Sequence, residues 1–298
     1  DGALSRERQR PLNVVIDRTV FAALCDELVL DAGVDLLFHA MPAAVSSGKD
    51  RWNVDVCTKT GLKKMRAKVL IDATGDANLV SLAGFGLIRP REVQPATLQM
   101  HCSGYDPKAL DYEALKKASK KAVKSGDLKT TDISWYDRGP EQFLKSRGNN
   151  ANHLRAGGAE TSEGRSSAEV EARRAVLRMR RFFRKQPGLE NFNVDWICAE
   201  AGIRETATIR GKTTMKVKDY EAGKKYDDAV CYTFYAIDEH LNDGRGINYR
   251  LLAQDTLPTI PRGAMLPAGS RFLIAAGRCI SSDRETNSAI RVECSCMA

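Results

Sequence analysis

The chain has 298 residues, 43% of them apolar, and a formal net charge of +8. No apolar run approaches the ~18 residues of a membrane helix and no secretory signal pattern is visible, so a membrane span is not expected and the cytoplasm is. Much of the positive excess lies in Lys108–Lys129 and Arg173–Lys185, yet aromatic residues do not interleave with the basic ones as a stacking platform needs, so nucleic acid is not an expected partner.

In chain order, residues 1–10 are charged and expected to be loose. Asp17 is suited to cap a helix over Arg18–Asp31, with Phe21, Leu24 and Leu28 on one side and Ala32-Gly33 as its left-handed stop. Val34–His39 reads as a short strand. Ser46-Ser47-Gly48-Lys49 forms a turn, Trp52, Val54 and Val56 alternate with polar neighbours in a half-buried strand, and Thr60-Gly61 turns again. The expectation is a small antiparallel meander. Val69–Ala73 follows as an apolar strand, with Thr74 and Gly75 at the carboxyl end where ligands sit in open α/β sheets, and Asp76 as cap of a helix bearing Leu79, Leu82 and Ala83 on its inner face.

Past residue 92 the character changes. Gln94–Ser103 alternates as a strand. The two basic stretches carry apolar stripes, Leu115, Ala118 and Ala122 in one and Ala172, Val176, Met179 and Phe183 in the other, and both predict amphipathic helices with solvated basic faces. Between them the polar stretch Gly139–Ser167 reads as a mobile lid or a partner surface. Mixed strand and helix patterns return over Val194–Tyr235, and Pro258, Pro261 and Pro267 impose an extended path toward the last strand.

That strand, Phe272–Ala276, is an unbroken apolar run of the kind buried on both faces of a parallel sheet. Gly277 ends it and Arg278 follows with a guanidinium suited to phosphate or carboxylate. Asn287 or Ser288 is a good cap for a helix from about Ala289, with Ile290, Cys294 and Met297 on one face. Strand, glycine turn and helix start together make an anion-binding device. Arg278 is expected to serve a cofactor, a carboxylate from Asp283 or Glu285 being the alternative. The eight cysteines include no C-x-x-C pair and the four histidines no metal spacing, so reduced thiols and no metal are expected. The chain starts at Asp1 and stops at Ala298 inside a predicted helix, which suggests an interior piece of a longer protein.

Six segments carry a family resemblance: VLIDATGDANLVSLAG at 69–84, QPATLQM at 94–100, IRETATIRG at 203–211, YAIDEH at 235–240, IPRGAMLPAG at 260–269 and FLIAAGRCISSDRETNSAIRVECSCMA at 272–298. In them the chain resembles the FAD-dependent oxidoreductases related to fumarate reductase flavoproteins and to the glutathione-reductase class. The resemblance implies an α/β protein: a partial FAD-binding lobe, with a parallel sheet and the small antiparallel meander, plus an α+β cap or substrate lobe. The boundaries are 1–92 and 235–298 for the FAD-binding lobe and 93–234 for the cap. It places Ala44 and Val45 beside adenine, Thr74 and Gly75 near ribose and pyrophosphate, and Gly277 and Arg278 against the ribityl–pyrophosphate region. Ser288, Ala289, Ile290 and Arg291 would present backbone N–H groups from a helix start to the flavin.

The chain departs from the family pattern in three places. The motif G-x-G-x-x-G is absent, since Gly84-Phe85-Gly86 and Gly244-Arg245-Gly246 both lack the third glycine; FAD binding by residues 1–298 alone is therefore expected to be weak. Ala207 and Thr208 stand where relatives often carry two arginines, and Arg262-Gly263 replaces an aromatic–arginine pair. From the cap side the candidate catalytic residues are His240, beside Asp238, and Arg204, beside Glu205. The implied activity is transfer of a hydride or electron pair between a small-molecule substrate and an acceptor, with homo-oligomerisation open. The alternative is a non-catalytic remnant that no longer binds FAD.

Overall fold

The computed structural model describes residues 17–133, 139–150, 152–242 and 246–298. The first ten residues, expected to be loose, and Gly244-Arg245 lie outside them.

Helix α1 (Arg18–Asp31) has the predicted bounds. The Asp17 carboxylate accepts hydrogen bonds from the Thr19 and Val20 amides and Gly33 supplies the left-handed stop at φ +73°. Its apolar stripe is not covered by any described element: Leu24 and Leu28 are exposed and Phe21 half-buried. The strand expected at Val34–His39 is likewise absent, because a strand exists only through its pairing partner and none of the described strands lies beside it. Strands β1 (Met41–Ser47), β2 (Trp52–Thr58) and β3 (Gly61–Ala67) form the antiparallel meander. Trp52 and Val54 turn inward as their alternation predicts.

Strand β4 (Leu70–Asp72) runs into the short helix α2 (Asn78–Leu82), of which Leu79 and Val80 rather than Leu82 are buried. Strands β5 (Leu87–Ile88) and β6 (Met100–Ser103) follow. The strand expected over Gln94–Ser103 is thus confined to its last four residues, Ala96 and Thr97 making single bridges to Leu154 and Gly202. Helix α3 (Tyr112–Ser125) buries Leu115 and Ala122, as its stripe predicts. The polar stretch at 139–167 holds helix α4 (Glu141–Lys145) and strand β7 (Gly148–Asn149), and buries Phe143, Leu144, Leu154, Ala156 and Ala159. These apolar residues point inward, which composition averaged over the stretch conceals.

Helix α5 (Ser162–Phe183) buries Ala172, Val176, Met179 and Phe183 against the same core. The remaining elements are β8 (Asn193–Ile197), β9 (Thr208–Ile209), α6 (Val217–Glu221), β10 (Ala229–Tyr232), β11 (Ile237–His240), β12 (Ile247–Arg250), β13 (Thr259–Pro261), α7 (Arg262–Met265), β14 (Leu273–Ala275), a 3-10 turn (Gly277–Cys279), α8 (Arg284–Ile290) and α9 (Glu293–Met297). Three apolar clusters hold these elements together. One spans Ala96–Ile203; one joins Trp52, Leu70 and Val80 to Ile209, Leu273 and Cys279; one joins Met215 and Tyr220 to Ile260, Ile280 and Ile290.

The two glycine-terminated strands pair in parallel, Leu70 beside Leu273, Ile71 beside Ile274 and Asp72 beside Ala275. They are covered on one face only. Leu70, Asp72, Leu273 and Ala275 are buried, whereas Ile71 is 62% and Phe272 67% exposed. The expected burial on both faces is not met, because no described element lies over the outer face and Asp72 interrupts the apolar run. The Trp52 indole ties the meander to this pair by donating to the Phe272 carbonyl at 3.1 Å, which also accepts from the Leu70 amide at 2.9 Å. Trp52→Phe should therefore cost about 1 kcal/mol or more of stability in a urea melt, the worth of one hydrogen bond plus the packing lost where the smaller ring leaves a void.

Candidate functional site

The turn after β4 is built by one buried carboxylate. Asp72 is 0% exposed. Its Oδ1 accepts from the Thr74 amide at 3.0 Å and the Thr74 hydroxyl at 2.7 Å, and its Oδ2 accepts from the Val80 amide at 2.8 Å. Thr74 Oγ1 in turn accepts from the Asn78 amide at 3.1 Å. The Thr74 hydroxyl is thereby committed within the turn, and the first turn of α2 is capped by the Asp72 carboxylate through the Val80 amide. Asp76, expected as that cap, is turned elsewhere.

Gly75 is at φ +73° and Gly277 at φ +82°, at the same end of the parallel pair. The guanidinium of Arg278 lies directly over Gly75, where a Cβ would stand 2.8 Å from Arg278 Cζ. Arg278 Nη2 donates to Asp76 Oδ1. Asp76, 7% exposed, also accepts from the Thr206 hydroxyl at 2.8 Å and has Arg165 Nη2 at 3.8 Å. The partner of Arg278 is thus Asp76, not Asp283 or Glu285. Asp283 caps α8 and Glu285 pairs with Arg250.

Helix α8 begins at Arg284, not near Ala289, because the Asp283 carboxylate accepts from the Thr286 amide at 3.0 Å. Ser288, Ala289 and Ile290 consequently sit buried in its last turn and Arg291 is its C-cap, so they do not form a helix start. A break at Val292 separates α9, and Cys294 and Met297 are exposed instead of sharing a buried face with Ile290.

Arg278 and Arg291 nevertheless meet. Together with Arg204, Asn150, Gln99 and Glu293 they line a cleft of about 570 Å³. Arg204 donates to the Pro95 carbonyl at 2.5 Å and to Asn150 Oδ1 at 2.9 Å; Arg291 Nη2 donates to Gln94 Oε1 at 3.2 Å and to the Asp238 carbonyl at 3.1 Å. Burial, helped by the neighbouring Arg291 charge, lowers the Arg204 guanidinium to about 9, and burial lowers Arg291 as well. Both stay charged at neutral pH and repel each other, so an anion in the cleft is favoured. Arg278 Nε, Arg291 Nε and Asn287 Oδ1 are buried without a hydrogen-bond partner. Ala44 and Val45 lie in β1 of the meander, which packs on α2, and do not line the cleft.

His240 is buried behind the cleft. Its Nε2 lies 3.3 Å from Asp238 Oδ2 and its Nδ1 3.1 Å from Nε2 of His153. Burial would raise the Asp238 carboxyl, but His240, Arg291 and Arg204 outweigh it and hold it low. His153 and Thr206 are site neighbours the sequence did not single out, and Asp76 was expected only as the cap of α2.

Burial pushes His153 down to about 3 and lowers His240 too, with the Arg204 charge acting in the same direction. Unfolded histidines titrate near pH ~6.5. Below that pH the unfolded chain binds protons the folded one does not, so the stabilisation present above it is lost as pH falls. Thermal melts between about pH 6.5 and pH 4 should show stability declining with acidity, and a shallower decline in His153→Gln. Gly75→Ala should lose about 1–3 kcal/mol in a denaturant melt, from the strained φ and the collision with Arg278.

No curated protein matches the chain. A family model described as FAD dependent oxidoreductase matches residues 2–298. The chain belongs to the FAD-dependent oxidoreductase family, whose cofactor is FAD.

Proposed function

We propose that this protein is an FAD-dependent enzyme moving a hydride or electron pair between a small-molecule substrate and an acceptor, with its chemistry in the cleft between Arg204, Arg278 and Arg291. The observation that carries the reading is the set of orphaned buried polar atoms at Arg278, Asn287 and Arg291, within the segment of strongest family resemblance. Buried donors without acceptors are costly, so a segment that holds several is built for a polar group from outside the chain.

The residues fit FAD. Gly75 and Gly277 give close backbone approach, and Arg278 and Arg291 offer guanidinium donors to its anionic parts. FAD supplies the redox chemistry when bound. Arg204 is positioned to orient an anionic substrate, because its two hydrogen bonds fix it while leaving it on the cleft wall. His240, which does not line the cleft, acts as a positioning residue: it braces Asp238, whose carbonyl accepts from Arg291. Ala44 and Val45 are kept as the adenine side of the site on the family resemblance alone.

The lobe division at 1–92, 93–234 and 235–298 is part of the same reading. It is supported by the cluster joining Trp52 and Leu70 to Leu273, and by the separate cluster over Ala96–Ile203.

Titration of the full chain with FAD, followed by flavin fluorescence, tests the assignment. Weak binding is expected, in keeping with the absent G-x-G-x-x-G, and Arg291→Gln should weaken it further by roughly tenfold or more, the worth of a charge-assisted hydrogen bond at about 1.5–3 kcal/mol. A full chain that takes up no flavin would support the remnant instead.

A further inference from the structure

Arg278 is only half committed to the place it occupies. Its guanidinium has five donors in a fixed fork. Nη2 meets Asp76, while Nε is buried with no acceptor and the side chain, 25% exposed, forms part of the cleft wall. Asp76 is in the opposite condition. Besides Arg278 it has the Thr206 hydroxyl at 2.8 Å on Oδ1 and Arg165 Nη2 at 3.8 Å from Oδ2. If Arg278 turns toward the cleft, Asp76 retains a hydrogen bond and a neutralising charge. A pair in which one member has replacement partners, and the other an unused donor, is set to exchange.

We propose that Asp76 is an internal competitor for Arg278. Without an anion in the cleft, the Asp76 carboxylate holds the guanidinium over Gly75, covering the glycine whose bare backbone a ligand would approach. A pyrophosphate-bearing ligand draws Arg278 away, uncovers Gly75 and takes the fork. Asp76 thus sets the affinity of a ligand that it does not touch, and Thr206 and Arg165 set how readily Asp76 lets go. The pyrophosphate rests on the FAD reading above; the competition rests on the contacts around Asp76.

The full chain and its variants are titrated with FAD, by fluorescence quenching, and with inorganic pyrophosphate, by calorimetry. Asp76→Asn removes the competing charge and should bind both probes roughly tenfold tighter, while the ligand-free protein melts at a lower temperature. That gain should vanish in Asp76→Asn/Arg278→Gln. Thr206→Val makes Asp76 depend more on Arg278 and should bind both probes severalfold more weakly; it also tests the idea independently should Asp76→Asn fail to fold. A wild-type protein that binds pyrophosphate but not FAD, with the gain intact, would sink the FAD reading and leave the competition standing. Equal or weaker binding by Asp76→Asn, or a gain that survives loss of Arg278, overturns the competition. Failure of every variant to bind either probe overturns both.

Discussion

The parallel pairing of β4 with β14 is the constraint on which the rest of the site depends. Three residue pairs, Leu70 with Leu273, Ile71 with Ile274 and Asp72 with Ala275, join segments from opposite ends of the chain. The pairing brings Gly75 and Gly277 to one end and lets Asp76 and Arg278 meet across 202 positions of sequence. Closing so long a loop costs entropy that the few backbone hydrogen bonds of this short pairing do not offset alone. The difference comes from burial of Leu70, Leu273 and Ala275 beneath Trp52 and Val80, and from the Trp52 indole bonded to the Phe272 carbonyl.

Charge then gives the cleft its character. Arg204, Arg278 and Arg291 arrive from different parts of the fold and share one wall. The hydrogen bonds that Arg204 and Arg291 make go to backbone carbonyls and side-chain amides, which fix geometry without cancelling charge. Among the described residues, Arg278 alone of the three has a carboxylate bonded to it. Glu200 and Glu293 also line the cleft, the Asp238 carboxylate acts on Arg204 and Arg291, and Glu205 and Glu239 are engaged with Arg284. With three arginines and two glutamates on its lining, and buried guanidinium donors to spare, the cleft suits an anionic ligand on its arginine side better than a cation.

Much of the local structure was legible in the sequence, for local reasons. The Asp17 cap and the Gly33 stop fixed α1 to the residue, and the apolar stripes on α3 and α5 marked the faces that are buried. The resemblance likewise pointed to the two glycine turns and Arg278. What it could not show was pairing. Val34–His39 has strand composition but no described partner, and Asp283 captured the start of α8 because its carboxylate reaches the Thr286 amide before Asn287 or Ser288 can act. The partner of Arg278 was missed for the same reason: nothing near it in sequence announces Asp76, which only the strand pairing delivers. His153, in a stretch that composition marks as polar, is buried only because Leu154 and its neighbours carry it inward.

The central claim is that the two glycine turns and the arginines beside them form one ligand site. Hydrogen exchange of the full chain with and without FAD tests it most directly, since it reports each segment's amides separately. The account predicts that FAD slows exchange in residues 72–80 and 276–292 together, over the same range of ligand concentration. Protection of one segment without the other, or protection confined to the Ala96–Ile203 core, would contradict it.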